Sequence, residues 1–152
     1  MGMFLGIDTA ASGLTAERLR MDVISNNIAN ANTTRTREGG AYHRRYVVFT
    51  PRTKPEKPFE KFLHMSLGRH KELKAGEGVR AVSINRDEED GPLVYDPGHP
   101  DANADGYVEH SNVNIVAEMV DMITASRAYE ANNAVITAAK SMATKAMEMG
   151  NK

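Results

Sequence analysis

The sequence predicts a mainly α protein whose N- and C-terminal helices pair as an antiparallel coiled coil, with a small β-rich module between them. Three observations carry that prediction. From Val113 to Met149 there is neither proline nor glycine. Both ends place apolar or small residues at close to a seven-residue repeat, the spacing that keeps one helix seam against a partner. All 6 prolines and most glycines fall between the ends, where short β-branched and aromatic runs replace the helical period. The expected division is 4–34 with 112–150 for the paired helices and 35–111 for the middle module, including a proline-rich loop at 51–60.

Length and composition narrow the classes. A chain of 152 residues suits one ordinary domain with its own core. It is 41% hydrophobic with 6% aromatic residues and no tryptophan, and mean hydropathy is -0.47. The absence of cysteine excludes disulfides, zinc–thiolate sites and cysteine nucleophiles. A net charge of -1 gives no overall attraction to nucleic acid. Its distribution is uneven: residues 1–75 carry a net +6 and residues 76–152 a net -7, so the halves attract each other within or between chains. The start, MGMFLGIDTA, lacks the basic flank of a cleavable signal, and no stretch reaches the roughly 20 apolar residues of a membrane span.

In chain order, the first helix is expected from residue 4 to about 33. Ile7, Leu14, Met21 and Ile28 recur at seven-residue intervals, with Ala10, Ile24 and Ala31 between them and Glu17 as the one interruption. Ser12-Gly13 is a weak spot for a helix. Asn26, Asn27, Asn30 and Asn32 crowd the last turns, where an amide side chain competes for backbone groups and ends a helix. Tyr42 to Phe49 reads as a strand, with Arg35, Arg37, Arg44 and Arg45 as a solvated or partner-facing basic cluster. Phe59, Phe62, Leu63 and Met65 suggest a brief helix or an apolar patch against the core. Val79 to Ile84 alternates as a strand, Asp87 to Pro92 is a turn, and Leu93 to Tyr95 is its expected return. These pieces and 42–49 are expected to form a single small antiparallel unit.

The last helix begins near Asn112, with Asn112 or Ser111 as the expected cap. Its seam is Ile115, Met122, Ala125, Tyr129, Asn132, Ile136, Ala139, Ala143 and Ala146. Alanine lets helix axes approach closely, and methionine fills irregular gaps.

At the ends the residues carry a resemblance. SGLTAERLRMDVISNNIANANTTRT and VNIVAEMVDMITASRAYEANNAVITAAKSMATKAMEMG resemble the paired terminal motifs of the flagellar axial proteins of rod, hook and hook–filament junction. LVYDPGHPDANADGYVEHSNVN resembles the linker found in a proximal-rod member of that family. The likeness runs end to end and is weakest from about Thr50 to Lys74; one departure is Ala41, where relatives often carry proline before the tyrosine. It marks Asn26, Asn27, Ala29, Asn30, Thr33, Arg127, Tyr129, Glu130, Ala131 and Asn132 as motif positions. It implies a subunit of the flagellar drive shaft, assembled with copies of itself and other rod proteins. It also implies passage through the flagellar type III export apparatus.

Chemistry is sparse. The segment 101–112 follows the first eight positions of a calcium-binding EF loop, with Asp101, Asn103 and Asp105 as oxygen donors and Gly106 at the sixth place. The twelfth place is Asn112 rather than glutamate, and Pro97 and Pro100 block a preceding helix, so Asx turns leading to the last helix are expected instead. His43, His64, His70, His99 and His110 show no metal-ligand spacing, and no nucleophile or phosphate-loop motif occurs. No cofactor, metal or nucleic acid is expected. The function read from the residues is structural; the other use of the same seams is a soluble helical adaptor or export chaperone. With so much alanine in the seams, the terminal helices are expected to be largely disordered in the isolated monomer and to order on assembly.

Overall fold

A computed structural model of the chain describes residues 3–52 and 76–150. The expected patch Phe59, Phe62, Leu63 and Met65, and most of the proline-rich loop, lie outside the described residues. The order is helix α1 (Met3–Ala29), strands β1 (Arg45–Pro51), β2 (Val79–Arg86), β3 (Leu93–Tyr95) and β4 (Tyr107–Glu109), then helix α2 (Ile115–Gly150). The protein is thus mainly helical, with two long terminal helices of 27 and 36 residues and a small strand region between them.

Asparagine ends α1 four residues earlier than the periodicity suggests. Asn30 turns its side-chain amide back onto the Asn26 carbonyl at 2.9 Å, and its backbone N–H bonds the same carbonyl at 3.1 Å. Thr33 Oγ1 then donates to Asn30 Oδ1 at 3.3 Å, so local side-chain bonds replace the helical ladder. The start of α2 also differs from expectation. Asn114 caps it, its Oδ1 accepting from Val116 N–H at 3.0 Å and Ala117 N–H at 3.2 Å. Asn112 is used elsewhere: its Oδ1 accepts from Arg44 N–H and its amide donates to the Glu89 carbonyl at 2.8 Å.

The strands form two separate two-stranded sheets rather than one unit. β1 pairs antiparallel with β2, Arg45 opposite Arg86 and Pro51 opposite Val79, with a bulge between Val48 and Phe49. β3 pairs with β4 instead of returning along β2, Leu93 opposite Glu109 and Tyr95 opposite Tyr107. The reason lies in 96–106, where Asx geometry tightens the connection into a hairpin: Asn103 Oδ1 accepts from Asp105 N–H at 3.0 Å and Tyr107 N–H at 2.9 Å. The Asx turn expected to lead to the last helix thus leads first into a strand. The Tyr95 and Tyr107 rings close the hairpin edge to face, 5.2 Å apart.

The helices bury mostly small residues. Ala10, Ala16, Ile24 and Ala31 of the N-terminal segment and Ala125 and Ala139 of α2 are buried, and Val108 is the best buried side chain of the sheets. Two contacts fix where the helices meet. Gly13 lies against Asn132, so close that a Cβ there would stand 2.8 Å from the Asn132 amide nitrogen. Asn27 lies against Glu118, its amide donating at 2.9 Å. The weak spot in the helix pattern is therefore a close approach.

Candidate functional site

A buried polar knot joins the end of α1, the segment before β1 and the start of α2. Asn27 is 1% exposed and uses its full hydrogen-bonding capacity. Its amide donates to the Arg45 carbonyl at 2.7 Å and to Glu118 Oε2 at 2.9 Å. Its carbonyl accepts from Arg45 N–H at 3.0 Å and from the Tyr42 hydroxyl at 3.0 Å. Tyr42 also donates to Asn26 Oδ1 at 3.1 Å. Glu118, 0% exposed, is held on its other oxygen by Arg44 Nε. The Arg44 guanidinium continues to Asp121 Oδ2 at 3.3 Å, and Arg20 approaches Asp121 Oδ1 at 3.7 Å.

The electrostatics follow from that arrangement. The hydrogen bond to Glu118 holds the Arg44 guanidinium above its ordinary pKa, against the opposing effect of burial. Burial pushes the Tyr42 phenol up; Arg45 opposes this and Glu118 adds to it. A buried carboxylate bonded on both oxygens fixes three segments in one register. The knot positions elements; it presents no reacting group to a substrate.

The sequence-named residues divide into three sets. Ala10, Ile24, Asn27 and Ala31 are buried, and the strict series Ile7, Leu14, Met21, Ile28 flanks them, half-buried. The buried line of α1 and the turn after it thus runs 10, 24, 31 through the interruption at Glu17, whose Oε2 is out of water with no hydrogen-bond partner among the described residues. On α2 the line is Glu118, Ala125, Asn132 and Ala139, with Met122, Ile136 and Ala143 half-buried beside it. Ile115 and Tyr129 are exposed, as is Ala146. At about 100° per residue, Ile115 has rotated about 80° away from Ala125, which takes it out of the contact. Ala29, Arg127, Glu130 and Ala131 of the motif are also exposed, while Asn30 and Thr33 are half-buried at the end of α1.

Arg44 is not part of a solvated basic cluster: burial against Glu118 claims it, and Glu118 and Asp121 were the residues sequence reasoning passed over. The signal was present, since Glu118 falls seven residues before Ala125, a charge at a seam position. The acidic loop at 101–105 does not converge on one point. Asp101 accepts from Thr34 Oγ1 at 2.9 Å and meets Arg35 at 3.4 Å, while Asn103 is used by its own turn.

The outer side of α2 carries a different feature. Val116, Met119, Val120 and Ile123, spaced to share one face, are more than half exposed; Val135 and Met142, also exposed, lie about 100° or more round the helix from Ile123. Such a row on one element marks an interaction surface. No helix among the described residues is long and apolar enough to cross a membrane.

Comparison with known proteins matches residues 7–35 to the family described as flagella basal body rod protein. Residues 104–149 match the flagellar basal body rod FlgEFG protein C-terminal family. The flagellar basal-body rod protein FlgC of Borreliella burgdorferi is 51% identical over 148 residues, covering 93% of each chain. FlgC of Bacillus subtilis is 42% identical over 154 residues, covering 99% of each, and that of Salmonella typhimurium 35% identical over 143 residues, covering 94% of each.

Proposed function

The chain belongs to the FlgC family of flagellar basal-body rod proteins and is a structural subunit of the rod, and we propose that it builds the proximal rod, the part of the drive shaft that carries torque from the membrane ring toward the hook. End-to-end identity to rod proteins carries this reading. It is a structural protein rather than an enzyme, at home in the basal body with other rod proteins.

The finer picture is our own reading. The terminal segments 4–34 and 112–150 form one antiparallel coiled coil, supported by the contacts of Gly13 with Asn132 and of Asn27 with Glu118, which step in opposite senses along the two helices. Residues 35–111 form a β-rich module fixed to it by the knot. Ile7, Leu14, Met21, Ile24, Ile28, Met122, Asn132, Ile136, Ala139 and Ala143 pack within the chain, while Ile115, Tyr129 and the apolar outer face of α2 pack against neighbouring copies and other rod proteins. Head-to-tail contacts of this kind build helical assemblies. The subunit reaches its place through the flagellar type III export apparatus.

The test is deletion of the gene followed by complementation. Cells lacking the chain are expected to be non-motile, with basal bodies that stop at the membrane ring, and re-expression is expected to restore both. Normal rods in the deletion strain would sink the proposal.

A further inference from the structure

We propose that His43, Asp90 and Glu109 form a binding site for a divalent transition-metal ion of the zinc class. One ring nitrogen of His43 and one carboxylate oxygen from each acid lie within 4.8 Å of one another. The three residues come from separate segments: the stretch before β1, the turn after β2 and the last residue of β4. Their distance in sequence is why no ligand spacing announces them.

Those segments are tied together independently of the three side chains. Asp87 N–H donates to the Arg44 carbonyl at 2.8 Å, and His110 N–H to the Pro92 carbonyl at 3.0 Å. Asn112 bonds both Arg44 N–H and the Glu89 carbonyl. At Gly91 a Cβ would stand 1.7 Å from the His110 carbonyl oxygen, so only glycine lets the turn bring Asp90 this close to Glu109. The ligand geometry is thus imposed by the backbone.

Two further observations point to a cation. His43 Nδ1 lies 3.0 Å from the Asp87 carbonyl oxygen. A carbonyl only accepts, so this bond needs a proton on Nδ1, and the tautomer that supplies it has its lone pair on Nε2, the outer-shell arrangement that orients a metal-binding imidazole. Among the described residues, moreover, neither Asp90 nor Glu109 has an ion pair or a side-chain hydrogen bond. Two carboxylates therefore share a site with no protein cation bonded to either. One nitrogen and two oxygens, completed by water, suit zinc or a neighbouring transition metal; calcium takes six to eight oxygen ligands. Bound there, the ion ties the segment after α1 to both sheets.

Calorimetric titration of the full chain with zinc chloride, with nitrogen NMR of the histidine rings, tests the proposal. The expected result is saturable uptake of one equivalent, a shift at His43 Nε2 with Nδ1 still protonated, and no comparable uptake of calcium. Glu109→Gln and His43→Ala should each weaken binding by about tenfold or more, a loss of the size expected when a metal's immediate surroundings are disturbed; His99→Ala, outside the cluster, should leave it unchanged. Glu109→Gln keeps the shape of a side chain that bonds nothing else among the described residues, so its effect does not come from misfolding. No saturable uptake, or equal binding in Glu109→Gln and His43→Ala, would overturn the site.

Discussion

Asn27 answers for both amide protons and both carbonyl lone pairs inside the fold, and that completeness sets what its neighbours tolerate. Glu118→Ala removes one acceptor from Asn27 and strands the Arg44 guanidinium beside Asp121 alone. Removing one partner of a buried pair costs about 3–5 kcal/mol, whereas replacing both by apolar residues of similar volume costs far less. Glu118→Ala is therefore expected to abolish swimming in soft agar and to deplete the chain from purified basal bodies, and Glu118→Leu with Arg44→Leu to recover part of both. Wild-type swimming by the single variant would contradict the role of the knot. Tyr42 adds a pH dependence. Its phenol keeps its proton above the ordinary 10.0 in the folded chain, so its contribution is complete below pH 10 and is lost as pH rises further. Tyr42→Phe loses one donated hydrogen bond, shared between Asn27 and Asn26 and contributing about 0.5–1.5 kcal/mol, at every pH at which the phenol is protonated. It also removes the ionisation, so it should hold less firmly in basal bodies at pH 8 yet show a shallower loss as pH rises above 10. Identical alkaline profiles would dismiss the assignment. At this scale the sequence named Asn27 through the family motif but not its partners. Tyr42, Arg45 and Glu118 lie 15, 18 and 91 positions away, and nothing local couples them.

Between elements, the helix contact is closer than helical propensity allows for. Glycine inside a helix costs about 1 kcal/mol relative to alanine, yet Gly13 sits where any Cβ would meet Asn132. Gly13→Ala should impair rod assembly in the wild-type background and improve it in an Asn132→Ala background, with a coupling of about 0.5–3 kcal/mol between the sites. Swimming-ring diameters of the four strains check this; a Gly13→Ala effect of the same sign in both backgrounds would remove the close-contact argument. The existence of both long helices was legible: the last from a long run free of proline and glycine, the first from a seven-residue repeat that carries through Gly13. Which face they bury was legible only in part. The apolar series through Ile7, Leu14, Met21 and Ile28 drew attention away from the line through Ala10, Glu17, Ile24 and Ala31, since a glutamate inside a contact reads as a break. Strand positions were legible from composition, but their pairing was not. Leu93 to Tyr95 alternates equally well against β2 or β4, and the Asx turn at Asn103 decides between them.

For the whole molecule, the balance between what the chain buries alone and what it leaves exposed sets its behaviour. The buried helix contact consists largely of alanine, with Ile24 the one buried large aliphatic residue of the helices among the described residues, while Met119, Val120, Ile123, Val135 and Met142 remain in water. Ordering the backbone costs roughly 1–2 kcal/mol per residue, and alanine contributes far less on burial than the about 1.5–3 kcal/mol of a large side chain. Dilute monomer should therefore show low helicity by circular dichroism and little amide protection across 14–29 and 115–147, both rising on assembly. Protected amides throughout both helices in a monodisperse monomer would overturn that coupling. The central claim is that the outer face of α2 is buried by neighbouring subunits in the rod. Because the chain has no cysteine of its own, a single thiol introduced by Ile123→Cys reports on that face alone. Maleimide labelling of that variant, read by mass spectrometry on this chain, should be rapid in the purified monomer and at least about tenfold slower in intact basal bodies, a change of about 1.4 kcal/mol or more in the free energy of exposing the site. Equal labelling rates in monomer and basal body would contradict it.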